Sequence, residues 1–531
     1  MKKIVITSIL AFAALGAGAQ TAYDAMTFSE NNYSGTARTI AMGNAFTALG
    51  GDLGSYGINP AGSAVNRYSQ ISFTPNLSSL SSSSEYFANP MDNAARGTTS
   101  HTDMTRFYLS NVGGSTYIDL RQRYGLKGIS FGFVVNMTNN MAEKYVGRGL
   151  NDYTSYLGQL ASGLNGYASS NLDKENAFNN PDIAWREIVA WKSGMISNLN
   201  NNQEDYIGAT EKVTDSNGNI GLGGTLDQAF RRRTHGSKRD LLFNMGFNVS
   251  DMFYFGGNIG ITSFSMKYDE YIHEIACNPD DFPNEFSTGT TNFDRMMIRN
   301  SYSADGTGIY GKFGAIFVPI TELRFGMAIQ TPTLVNINET WQTYGEIDYT
   351  DSRYDGWKKS PLGEYEYELV SPFRFNAGMA FNFGIGVVSA DYEIVDYKTM
   401  RFRNRDGYSS TSFNGPNQDI KDLMTISNSL RVGMEIKPVP SFAIRAGYSF
   451  ATSPEKELEN NFKALYQTAS FGLGYSSNGS FFWDAAIRGS FKPNLYTTLY
   501  EDYIEDKNIA SPEIRTKTNI VDFVMTFGWR F

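Results

Sequence analysis

The chain has 531 residues, a formal net charge of −9 and no general basic bias, which argues against nucleic acid as a partner. Its single cysteine, Cys277, excludes an intramolecular disulfide framework. Mean hydropathy is −0.33 and no apolar run suits a transmembrane helix, while 37 Phe, 32 Tyr and 6 Trp suit either interfacial girdles or a large β-sandwich.

Residues 1–19 read as a secretory signal peptide. Lys2 and Lys3 form the charged start, Ile4 to Leu15 is a short apolar stretch, and Ala17-Gly18-Ala19 is a small-residue cleavage site. Gln20 is then the first mature residue, and with no cysteine after the cleavage site a lipoprotein anchor is not expected. Residues 20–67 are rich in Gly, Ala, Ser and Asn without alternation, so they predict a hatch packed apart from any sheet wall. An ordinary Gly-rich linker has the same composition.

Strand signals begin near Ser69, with Ile71 and Phe73, and a second candidate runs from Met104 to Leu120. In the third, Ile129, Phe131, Phe133, Val135 and Met137 alternate with smaller or polar residues. Alternation puts one set of side chains on each face of a strand. Gly128 and Gly132 mark a possible kink, since strand glycines often sit at bulges, although an ordinary twisted strand also tolerates them.

The stretch 146–238 predicts a helical external insertion. Tyr156, Leu157, Leu160 and Leu164 fall at helical spacing, as do Trp185, Ile188 and Val189 after the start signal Pro181-Asp182. Tyr156, Leu160, Trp185, Ile188 and Val189 either form an outer docking surface or pack the insertion onto a rim. The basic run Arg231, Arg232, Arg233, His235, Lys238 and Arg239 is predicted at the rim before the fourth strand. It suits contact with lipopolysaccharide phosphates, or simple solvation.

From Arg239 the chain becomes a series of hairpins with short turns at Ser250-Asp251-Met252, Pro319–Glu322, Gly384, Lys437–Pro440 and Ser477-Asn478-Gly479. Every second connection is long: 81–103, 146–238, 274–299, 341–367, 404–425, 453–462 and 493–516. The last strand places Val521, Phe523, Met525, Phe527, Trp529 and Phe531 on one face. Together these predict an all-β, transmembrane antiparallel barrel of about 14 strands over residues 68–531, with a soluble β-sandwich as the competing architecture. The implied location is a bacterial outer membrane, crossed many times.

With the apolar phase facing lipid, the opposite phase lines the lumen. It carries Lys312, Arg324, Arg374, Asp391, Glu393, Arg431, Glu435, Arg445, Asp484 and Arg488. These either pair into ladders between strands, or one Arg meets a substrate carboxylate with its forked donors. His101, His235 and His273 belong to no credible catalytic or metal cluster, and His273 with Cys277 makes a poor metal site. No enzyme activity, cofactor or metal is expected.

The segment Ala37-Arg38-Thr39-Ile40-Ala41-Met42-Gly43-Asn44-Ala45-Phe46-Thr47-Ala48, then Asp52, then Asn59-Pro60-Ala61-Gly62, resembles the opening of the FadL/TodX family. These are outer-membrane transporters of long-chain fatty acids and other hydrophobic compounds. The resemblance implies a fourteen-stranded barrel plugged by an N-terminal hatch and passive uptake of a hydrophobic molecule. It also implies exit after the hatch shifts, or laterally through the wall. The insertion at 146–238 looks longer than the family's pattern. Related FadL-like barrels in secretion systems attach to partner proteins, which leaves a protein-attachment role as the alternative.

Overall fold

The computed structural model describes residues 20–92, 97–214, 218–405, 413–458, 464–477, 480–504 and 508–531. The expected signal peptide and the turn residues Asn478 and Gly479 lie outside them.

The fold is a closed antiparallel barrel of 14 strands. In chain order these are β1 (Gln70–Phe87), β2 (Ser100–Asp119), β3 (Leu126–Asn139, continued by Glu143–Asn151), β4 (Leu226–Val249) and β5 (Phe253–Ala276). There follow β6 (Gly289–Ile320), β7 (Leu323–Gln330 and Leu334–Tyr349), β8 (Gly363–Val370 and Arg374–Asn382), β9 (Gly386–Asp396 and Arg401–Arg403) and β10 (Ile426–Val439). The wall ends with β11 (Phe442–Ala451), β12 (Tyr466–Ser477), β13 (Phe481–Phe491 and Leu495–Thr498) and β14 (Glu513–Arg530). β14 pairs back onto β1, from Gln70 opposite Arg530 to Phe87 opposite Glu513. Closure leaves no open edge along the apolar belt, which is how a sheet meets lipid without unpaired backbone.

The alternating apolar residues point outward. Ile71, Phe73, Phe133, Phe243, Phe313, Met327, Phe471 and Phe523 are among the exposed large side chains, while their neighbours face a buried, polar interior. In β4 and β5 this outward set runs from Val249 and Phe253 up to Leu241 and Ile261. That is nine residues per strand, the length a tilted strand needs to cross the hydrocarbon layer.

Several stretches expected as loops are strand instead. β5 runs to Ala276 and β6 starts at Gly289; β7 runs to Tyr349 and β8 starts at Gly363. The wall therefore rises well above the apolar belt on this side. Up there both faces carry polar residues, so the period-two contrast fades while the hydrogen-bond ladder continues. For the same reason the basic run at Arg231–Arg239 lies inside β4 rather than before it.

The true insertion is narrower than 146–238. β3 extends to Asn151 and β4 begins at Leu226, so the described residues between them, 152–214 and 218–225, form the cap. The N-terminal segment holds α1 (Ala22–Ser29) and α2 (Ala37–Ala41); the cap holds α3 (Tyr156–Leu164), α4 (Ser169–Leu172) and α5 (Trp185–Lys192). In the cap, Leu157, Leu160, Leu164, Ile188 and Val189 form one buried core with Phe230, Ile272, Ile298, Ile347 and Ile514 of the wall. A last helix, α6 (Asn414–Leu423), lies against α1.

One seam interrupts the wall. β2 pairs with β3 only from Asn111 to Asp119, and β3 shifts register between Met137 and Asn139. Above that point β3 pairs with β4 alone, apart from an isolated bridge between Gly97 and Gly149. Side chains span the gap: Arg106 Nη1 donates to Asn140 Oδ1 (2.8 Å) and Gly236 O (2.9 Å), and Thr102 Oγ1 donates to Lys144 O (2.8 Å). Of the two glycines read as kink sites, Gly128 falls at a second register shift, whereas Gly132 sits in regular pairing beneath Tyr56.

Candidate functional site: the lumen and its N-terminal plug

Residues 20–66 run through the barrel interior as short helices, tight turns and extended links. Asn59 explains the local shape of the motif that follows it. It N-caps a 3-10 turn at Pro60–Ala64, and its Oδ1 accepts from Ala61 N at 3.1 Å. Pro60 occupies the first turn, where a missing N–H costs nothing. Asn59 Nδ2 donates to Thr47 O (2.6 Å), Ala315 O (3.2 Å) and Met327 O (3.3 Å), tying one part of the segment to another and both to β6 and β7. Ala61 and Gly62 are buried, as is Asn59. Asp52 closes a second turn by accepting from Gly54 N (2.9 Å) and Thr36 Oγ1 (2.6 Å).

The lumen charges serve this segment as much as each other. Lys312 Nζ donates to Gly57 O (2.7 Å), Arg324 Nη1 to Leu49 O (3.1 Å), and Arg488 Nη1 to Tyr33 O (3.1 Å). Asp391 accepts from Thr47 N at 2.7 Å, and Arg374 donates to Ser29 O. Glu435 receives Arg38 of the segment in two bonds of 2.9 and 3.1 Å, and Arg445 of the wall at 2.6 Å. Ladders exist too: Glu393 with Arg431 (2.8 Å) and Arg374 (3.4 Å), Asp484 with Arg445 (2.6 Å), and Asp522 with Arg488 (2.7 Å). Of the residues read from sequence, Arg374, Glu393 and Arg431 share one cluster and Glu435 and Arg445 another. Asp391 and Arg488 are anchored separately.

The wall makes room for the segment with glycine, a signal the sequence reading passed over. A Cβ on Gly256 would meet Ala61 N at 2.5 Å, and one on Gly314 would overlap Asn59 Oδ1. Any side chain there would push the segment off the wall. Such wall glycines occupy inward positions of strands that otherwise read as ordinary.

The segment separates two hollows. Above its residues 31–66, with α1 along the upper side, lies a chamber in two adjoining parts of about 170 and 220 Å³, which share Asn32, Asn139, Asn140, Tyr466 and Lys492. The lower part is polar, with Arg431, Arg488, Glu393 and Asn44. The upper part mixes Met26, Met141, Met266, Tyr145 and Leu495 with charged residues that include Glu30 and Arg232. Asn139 to Met141, beside the seam between β2 and β3, form one side of it. Beneath the segment is a hollow of about 360 Å³ lined by Gly50, Gly51, Arg38, Arg324 and Lys437.

Arg431 is a partly unsatisfied charge on the chamber floor, as Arg232 is in its upper part. It is 7% exposed, bonds Glu393 through Nη2, and stacks over the Tyr33 ring at 5.0 Å. Its Nη1 is buried without a hydrogen-bond partner among the described residues. A buried guanidinium donor left open costs free energy unless an acceptor reaches it.

The expected outer docking surface is not a surface. Tyr156, Leu160, Ile188 and Val189 are at most 2% exposed, inside the cap core, and Trp185 is half-buried against Phe178 and Trp341. An isolated amphipathic stripe reads the same whether its apolar face meets a ligand or its own barrel, and here it meets the rim. Within the cap, burial pushes the Glu211 carboxyl up to about 7, with Gly208 N and the Tyr503 hydroxyl opposing that rise as hydrogen-bond donors.

Taken together, the closed wall, outward apolar belt and internal plug between two hollows define a plugged, membrane-type β-barrel. No protein-family model matches the sequence, and no curated protein matches it. Among solved structures it is similar to a FadL homologue of Pseudomonas aeruginosa, at 12% identity and TM-score 0.51, covering 94% of this chain and 98% of that one. That likeness shows a shared fold. The Pseudomonas putida toluene transporter TodX is 11% identical with TM-score 0.48, covering 95% and 99% of the two chains. The Ralstonia pickettii toluene transporter TbuX is 13% identical with TM-score 0.47, covering 94% and 99%.

Proposed function

We propose that the protein is an outer-membrane channel for passive uptake of hydrophobic molecules bearing an acidic head, with long-chain fatty acids the best-fitting class. The observation that carries this reading is the chamber above the plug. Its floor offers an under-bonded arginine, and methionine and tyrosine side chains rise above it. A carboxylate placed near Arg431 Nη1 would complete its donors, and a flexible chain would lie against the methionines, which adapt to irregular apolar shapes. A small hydrocarbon without a head would leave Arg431 open. In this reading residues 20–67 act as the hatch, with Asn59, Pro60, Ala61 and Gly62 as its docking point on the wall. Release proceeds past the hatch or through the seam between β2 and β3.

The test is to extract the protein in mild detergent and identify bound lipid by mass spectrometry, for wild type and Arg431→Met. Near-stoichiometric fatty acid in wild type, reduced at least about tenfold in the variant, supports the reading; that is the loss of one charge-assisted bond. An empty chamber with a co-purifying protein would overturn it in favour of attachment. Equal lipid in both forms would remove Arg431 from recognition.

A further inference from the structure

Above the apolar belt the outer wall is not uniform. The belt's upper edge on β4 to β7 is the row Leu241, Ile261, Ile309 and Leu334, fixed by direct pairing of those residues. One row higher on the same outward phase stand Arg239, Ser263, Thr307 and Asn336. Continuing upward, the pairings set His235 beside Lys267, then Lys144 beside Arg233, then Arg231 beside Tyr271. Arg231, Arg233, Arg239 and Lys267 are exposed, and none forms an ion pair among the described residues. The outward acids in these rows are Asp269, already paired with Arg299 at 2.7 Å, and Asp305. Arg232 and Lys238 of the same basic run point inward instead, against Tyr268 and Phe28 O.

A hollow of about 580 Å³ opens on the outer wall at this height. Arg239 lies on one side, and Ser263, Ser265, Asp305, Thr307 and Asn336 lie across its floor. The far side carries Arg405, held by Glu366. Elsewhere the wall at this level differs. On β1 the corresponding outward residues are Ser79, Ser81 and Ser83, and on β8 they include Glu366 and Glu368. The cations are therefore a local column beginning at the edge of the belt, with a recess beside it lined by hydroxyls, amides and the Asp305 carboxylate.

We infer that this column and recess bind the phosphorylated headgroup of a glycolipid in the outer leaflet. Its phosphates meet Arg233, Arg239 and Lys267, and its sugar hydroxyls meet Ser263, Ser265 and Asn336. The height supplies the argument for a lipid rather than a free anion. Arg239 sits one row above residues that face acyl chains, so a bound phosphate there lies at the headgroup plane of a lipid whose tails cover Leu241 and Ile261. Arginine forks suit phosphate oxygens. The inference rests on the outer-membrane placement proposed above.

The full-length barrel in detergent is titrated by native mass spectrometry with bis-phosphorylated lipid A and with its dephosphorylated counterpart. Lipid A is expected to bind wild type, and Arg233→Gln/Arg239→Gln/Lys267→Gln to bind it about 100-fold more weakly, from about fivefold per cation at an anionic lipid surface. Lys517→Gln, on the β14 side, is expected to bind as wild type does. If the triple variant fails to fold, judged by its heat-shifted gel mobility, single Arg233→Gln and Arg239→Gln variants are each expected to lose about fivefold. Equal affinity of wild type and the folded variants overturns the inference, as does equal binding of the dephosphorylated lipid. Displacement of lipid A by millimolar inorganic phosphate would assign the column to the free anion and overturn it too. Fractionation of cells expressing wild type tests the placement separately: recovery outside the outer membrane refutes that placement, while the detergent titration still reads the site.

Discussion

Asn59→Ala is the sharpest probe of the plug, because one side chain holds both its own turn and the wall. The substitution removes the bond from Nδ2 to Thr47 O and the weaker contacts to Ala315 O and Met327 O. It also removes the cap on Ala61 N. Losing the cap costs about 0.5–2 kcal/mol. Leaving Thr47 O buried and unpaired costs about 1–3 kcal/mol. Together, about 1.5–5 kcal/mol of docking is lost, which raises the undocked population roughly 10- to 4,000-fold. The wall keeps its own ladders, including the pairing of Ala315 with Met327, so assembly is expected to stay intact. In a planar bilayer the wild-type barrel is expected to be nearly closed, and Asn59→Ala to show frequent openings at unchanged heat-shifted gel mobility. Gly314→Val, whose side chain would occupy the space of Asn59 Oδ1, is expected to open it further. Failure of the barrel to assemble, or unchanged conductance in both variants with unchanged uptake, would refute the docking argument.

Three other outcomes are expected. Leu160→Ala, deep in the cap core, should cost about 2–5 kcal/mol and raise hydrogen exchange across 152–225 while sparing β9 to β12; equal loosening of those strands would contradict a separate cap. Glu211 has a folded-state value near 7 against an ordinary 4.5, so the folded cap binds the proton more tightly than the unfolded one. Its stabilising effect is complete below about 4.5 and is lost as pH rises through 7; proteolysis of the cap should therefore be faster at pH 8 than at pH 5, and Glu211→Gln should flatten the difference. On intact cells, protease should cut the exposed cap residues near Asp173–Glu175 and spare the turn at Lys437–Ser441. The reverse pattern would invert the assigned orientation.

The parts of this fold legible in the sequence are those set by lipid. Where one face of a strand meets hydrocarbon, as from Leu241 to Val249 or Val521 to Phe531, the alternation is clear and fourteen strands can be counted. Where the wall rises into water, both faces are polar, and the chain of Ser301 to Arg295 or Asp227 to Arg239 reads as loop or as a basic run. Backbone pairing carries no residue code of its own, so these extensions were hidden. The interior was legible only in kind. Its charges could be counted, but their partners are set by a register invisible in one strand alone. Four of the ten, Lys312, Arg324, Arg374 and Arg488, donate to carbonyls of the N-terminal segment, which any residue supplies. The same logic explains Gly256 and Gly314: their purpose is the absence of a side chain opposite Asn59-Pro60-Ala61, and only the folded pairing shows what that absence admits. The plug is thus specified on both sides of its contact, by an asparagine that reaches and by glycines that yield. Restoring bulk to the wall should therefore disturb the plug as surely as changing the plug itself.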